Sequence, residues 1–113
     1  MDAVSAALQV TGAMIEENSE SARLRYAVVS ANRELREREL AKLAELAAVM
    51  AGALRDRGIP EPIASLAAET GIAVYRVAFT RWISEPGEQD LRGILRESME
   101  ELTGMLARSP SRR

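Results

Sequence analysis

Residues 60–84 read P-E-P-I-A-S-L-A-A-E-T-G-I-A-V-Y-R-V-A-F-T-R-W-I-S, a helix that is apolar around most of its circumference. At about 100° per residue, Ser65, Glu69, Arg76 and Thr80 share one narrow polar stripe. Apart from Thr70 and Arg81, the remainder is apolar or small. A helix lying on the surface of a monomer needs only about 100° of apolar arc, so this one has two packing surfaces. One carries Ala64, Ala67, Ala68, Gly71 and Ala78 and runs into Tyr75 and Trp82. The other carries Ile63, Leu66, Ala73, Val74 and Val77. Small residues three and four apart let a second helix approach closely, while branched ones fill a core. The branched face is therefore expected to close the chain's own core and the small face to meet a second copy. The competing reading wraps the helix on all sides in its own chain.

A length of 113 residues sets one domain. Aromatics are scarce at 4%, and Ala, Leu, Glu and Arg dominate, which favours helix over sheet. A formal net charge of −2 provides no global field drawing the chain to nucleic acid or acidic lipid. The absence of cysteine excludes a disulfide framework and suits a reducing cytoplasm. No apolar run approaches about 18 residues, and the N-terminus lacks a signal-peptide pattern, so a cytoplasmic protein is expected.

Outward from the central segment, the apolar spacing predicts an all-α chain with helices near 2–17, 21–31, 33–57, 61–84 and 88–107. In the first, Val4, Ala7, Leu8, Val10, Met14 and Ile15 form a broad apolar arc. Thr11 sits inside that arc, its hydroxyl either lining a pocket or bonding back one turn. Asn18 or Ser19 is the candidate N-cap of the second helix. L-R-Y-A-V-V, residues 24–29, also alternates like a strand but has no partner run. Asn32 caps the third helix, whose interleaved Glu and Arg form a solvated face rather than a phosphate-binding one. Leu40, Leu43, Leu46, Ala47, Met50 and Leu54 make its inner stripe, and Gly58 stops it. Ser84-Glu85-Pro86-Gly87 breaks the central helix. A last helix with acid at its start then carries Leu91, Ile94, Leu95, Met99, Leu102, Met105 and Leu106 on one side. Residues 1–107 are expected to form the domain and 108–113 a disordered tail.

With no His and no Cys, the usual general base, zinc ligands and nucleophile pairs are missing. No phosphate-cradling glycine motif is present either. Glu16-Glu17 and Glu100-Glu101 diverge by about 100° on a helix, so neither pair clamps a metal, and both read as ordinary surface acid. No enzyme, no metal and no cofactor is expected.

Four stretches carry a family resemblance: E-L-R-E-R-E-L-A-K-L-A from residue 34, A-L-R-D-R-G-I-P-E-P from 53, S-L-A-A-E-T-G-I-A-V-Y-R-V-A-F-T-R-W from 65, and D-L-R-G-I-L-R-E-S-M-E-E-L from 90. Together they resemble the C-terminal regulatory domain of TetR-type transcriptional repressors over nearly the whole chain. The resemblance implies a homodimer through the last two helices, packed as a four-helix bundle, and an effector pocket in each protomer. It also implies operator DNA bound by an N-terminal helix-turn-helix. That reader has no counterpart in this chain, which resembles an excised regulatory half or a protein without the reader, so DNA contact is assigned to no residue.

Combined with the inward faces, the resemblance implies a pocket between the first, third and central helices. Its expected walls are Thr11, Met14, Met50, Leu66, Thr70 and Val77, and its ligand a small hydrophobic effector. Arg81, at a helix end, either meets an anionic effector, reaches solvent or pairs across the dimer. The dimer interface is expected at Ala64, Ala68, Gly71, Tyr75, Ala78 and Trp82, with Leu91, Ile94, Leu95, Met99 and Leu102 of the last helix. The alternative reading is a purely structural dimeric bundle that holds no ligand.

Overall fold

A computed structural model describes residues 2–84 and 89–108. Among these, five helices and no strand are found: α1 (Asp2–Glu17), α2 (Ser19–Ser30), α3 (Arg33–Asp56), α4 (Ile63–Ser84) and α5 (Leu91–Ala107). The expected break at 85–87, the acidic start at Glu88 and the tail from residue 109 lie outside the described residues. The sequence boundaries hold to within about three residues, and the differences have local causes. Asn32 caps α3 as expected, accepting from the Leu35 N–H at 3.1 Å. Asn18 precedes α2 but makes no side-chain cap; its amide instead donates to the Met14 carbonyl. Gly58 ends the α3 turn at φ +94°, where a Cβ would be strained. At the start of α4, Glu61 accepts from both the Ser65 hydroxyl (2.7 Å) and the Ser65 N–H (2.9 Å). These bonds, with Arg55 alongside, hold its carboxyl below the usual range. Asp90 caps α5 by accepting from the Gly93 N–H at 2.7 Å.

Helix α4 lies at the centre, packed against α1, α3 and α5, while α2 packs chiefly on α3. The buried core joins Val4 and Leu8 of α1, Leu54 of α3, Ala64, Val74, Ala78 and Trp82 of α4, and Leu91, Ile94 and Leu95 of α5.

The two faces of α4 are used the other way round from the sequence expectation. Ala64, Ala68 and Ala78 are fully buried within the chain itself, and Gly71 and Trp82 are buried beside them. A Cβ at Gly71 would stand 2.6 Å from Val4 Cγ1, so the close approach that small residues permit is made by the chain's own α1. Leu91, Ile94 and Leu95 close the same core, with Met99, Leu102 and Tyr75 partly buried against it. None of these residues is left as an open face for a second copy. Of the branched set, Val74 is buried, but Ile63, Leu66 and Val77 are 57%, 63% and 64% exposed, and Ala73 is exposed with them.

Glu16 is a second departure. It is not plain surface acid: its carboxylate accepts from the Leu91 N–H at 2.7 Å and from Arg92 Nε at 2.8 Å. An α1 residue thereby satisfies an orphan donor at the start of α5. Gln9 adds a bond to the Arg92 carbonyl, and Gly12 lets Leu95 lie close against α1. Replacing Glu16 by alanine removes a charged acceptor from a helix N-terminus, so a loss of about 1–2 kcal/mol is expected in urea unfolding. Glu17→Ala, whose side chain is exposed, should leave the midpoint unchanged.

Candidate functional site

A cleft of about 730 Å³ opens between α2, α3 and the C-terminal half of α4, with Ile15 of α1 at one edge. Its placement follows from side-chain size. The C-terminal half of α4 carries Tyr75 and Phe79 one turn apart, and these rings hold α2 off α4 instead of letting it pack closely. Tyr75 and Phe79 have centroids 5.7 Å apart, Tyr26 of α2 lies 5.8 Å from Phe79, and Trp82 lies 5.9 Å from Phe79 on the core side. Val29, Leu40 and Leu43 extend the apolar wall.

The rim is charged. Arg25, Arg33, Arg36 and Arg76 line the cleft against Glu37 and Glu39, four positive groups to two negative. Two of the arginines are engaged: Arg25 pairs with Glu39 at 2.5 Å, and Arg36 donates to the Ser30 carbonyl at 2.5 Å. Arg33 and Arg76 have no ion-pair partner among the described residues. Burial raises the Tyr75 phenol above its ordinary range, and the nearby Glu39 charge adds to the effect. That phenol therefore stays protonated, and a hydrogen-bond donor, throughout the physiological pH range. The arrangement suits a molecule with an apolar body laid on the aromatic wall and an anionic or strongly accepting end at the arginines.

The six residues expected to line a pocket are not brought together around this cleft. Leu66 and Val77 are exposed on the outer face of α4, Met14 is exposed on α1, and Met50 is half-buried against Gly71. Thr11 and Thr70 bond back to the carbonyls of Ala7 (2.9 Å) and Leu66 (2.6 Å), which commits both hydroxyl protons within their own helices. Arg81 pairs with Glu97 of its own α5 at 3.4 Å. A compositional signal for the actual cleft was present. The chain has four aromatic residues in all, and Tyr26, Tyr75, Phe79 and Trp82 form one contiguous cluster. A scarce residue type recurring at 75, 79 and 82 marks one face of one helix as different from the rest.

No helix among the described residues is long and apolar enough to cross a membrane. Comparison with known families gives one match: the model described as the MftR C-terminal domain, one of the TetR C-terminal domain families, covers residues 1–107. No curated protein and no solved structure matches the chain.

Proposed function

This chain belongs to the C-terminal domain family of TetR-type transcriptional regulators, and from that premise we propose that it is a ligand-sensing, dimerising module of a repressor. The single observation that carries the sensing role is the α2–α3–α4 cleft, where an aromatic wall meets two arginines with no ion-pair partner among the described residues. An apolar small molecule bearing an acidic group fits that chemistry better than a purely hydrocarbon one. Operator DNA enters this reading only through a helix-turn-helix reader, and DNA contact is assigned to none of the residues matched here.

The dimerising role rests on the outer face of α4. Ile63, Leu66, Thr70, Ala73 and Val77 are spaced alternately three and four residues apart, the seam of a left-handed helix pair. Three of these are large apolar side chains left exposed, and Met105 on the last turns of α5 is 58% exposed as well. Two-fold pairing through α4 and α5 covers such a seam with its own copy.

Titration calorimetry with dodecanoate and dodecanol tests the sensing role. Saturable binding of dodecanoate is expected. Replacing Arg33 and Arg76 together by alanine should weaken it at least about tenfold, since a charge-assisted hydrogen bond contributes about 1.5–3 kcal/mol. Dodecanol binding should change little. If neither compound binds saturably, the sensing role is wrong; if the arginine changes affect both alike, the acidic end is wrong.

A further inference from the structure

Helix α2 forms one wall of the cleft, yet it contains no buried residue, unlike each of the other four helices. Its ends are weakly tied into neighbouring helix. Asn18 breaks from α1 at φ −124°, ψ 41° without a side-chain cap, and Ala31–Asn32 separate it from α3. Few side chains hold its inner face. The Arg25–Glu39 pair is solvent-exposed on both sides, and such pairs add little. Tyr26 rests on Phe79 within the cleft wall itself.

Arg23 differs from these. Its guanidinium lies 4.5 Å above the Trp82 ring, and Nη1 donates to the Ile83 carbonyl at 3.4 Å in a partly buried setting. Both partners sit in the last turn of α4, where the unsatisfied carbonyls favour a cation. A cation over the face of an indole is held most firmly where water is partly excluded.

We propose that α2 is the hinged wall of the cleft and that Arg23 is its latch, docked on Trp82 and the C-terminal end of α4. The α1–α4–α5 core stays fixed while α2 swings on Asn18 and Ala31–Asn32. Opening breaks the Arg23 cation–π contact and hydrogen bond, the exposed Arg25–Glu39 pair and the Tyr26–Phe79 contact, and it draws no buried residue of α2 out of the core, so it does not require unfolding. The entry role of this motion rests on the sensing function of the cleft, but the motion itself does not.

Native-state hydrogen exchange on the 113-residue chain, without any ligand, tests the latch. In the wild type, α2 amides should exchange faster than those of α1, α4 and α5. Replacing Arg23 by methionine keeps the apolar stem and removes the charge, and should speed α2 exchange about tenfold while leaving the core helices unchanged. Trp82 is the chain's one tryptophan, so its emission should shift in the same variant. Unchanged α2 rates, or equal acceleration of all helices, would overturn the latch, the second result making Arg23 a residue of global stability. A second arm follows the association rate of anilinonaphthalene sulfonate, an apolar anionic dye. Faster association with Arg23→Met supports α2 as the entry wall, and an unchanged rate contradicts it. Failure of the dye to bind at all counts against the sensing function, while the exchange arm still decides the latch.

Discussion

Gly71→Leu is expected to lower the thermal midpoint by roughly 5–15 °C, on the scale of about 1–3 kcal/mol for overpacking a filled interior. At this position even the first added carbon stands 2.6 Å from Val4 Cγ1, and Met50 Sδ lies 3.6 Å away on the other side. Val4 has no free space to retreat into, being 1% exposed. Gly71→Ala should fall between the wild type and leucine. Val4→Ala makes room, so combining it with Gly71→Ala should cost less than the sum of the two single changes. The readout separates two pictures of α4. Were Gly71 part of a surface between copies, leucine would weaken association and leave the fold of each copy intact. Because α1 occupies that face, the fold itself should weaken.

Which neighbour takes which face of α4 is the part of the fold that local sequence does not encode. The five helices follow from apolar spacing and end signals: the Asn32 cap, Gly58, and the one-sided stripe of α5. Each of these acts within a turn or two of chain. That α4 has a close-approach face was also legible, since Ala64, Ala68, Gly71 and Ala78 are all small. The identity of the approaching helix depends on Val4, far away in sequence, and no periodicity within residues 60–84 carries that information. Glu16 makes the same point. As one of two adjacent acids it looks like solvent-facing charge, and its role as acceptor for the Leu91 N–H arises from a contact across 75 positions. The cleft is hidden from helical-wheel patterning for a related reason. Inward position on a helical wheel does not by itself mark a pocket wall, because inward residues that are small or well matched simply close up. Thr11 and Thr70 donate their hydroxyl protons within their own helices, and the aromatic-walled cleft opens where bulky rings on α2 and α4 meet. Aromatic clustering, rather than burial pattern, marks the cleft.

Leu66→Glu together with Val77→Glu should have the other large effect, converting a dimer to a monomer without loss of helix. Both positions are about as exposed as a surface residue in the single chain, at 63% and 64%, so the fold of one copy tolerates the charges. In a two-fold pairing through α4 the same positions are dry, and unpaired carboxylates there cost enough to weaken association by over about a hundredfold. Leu24→Glu, equally exposed at 65% but on α2, supplies the control and should leave assembly intact. Sedimentation equilibrium at micromolar concentration is the direct measurement. The wild type and Leu24→Glu should run at twice the 12.3 kDa chain mass, and the double variant at the chain mass. A wild-type chain sedimenting as a monomer, or a double variant that remains a dimer, would contradict the assignment of the outer face of α4 to a second copy.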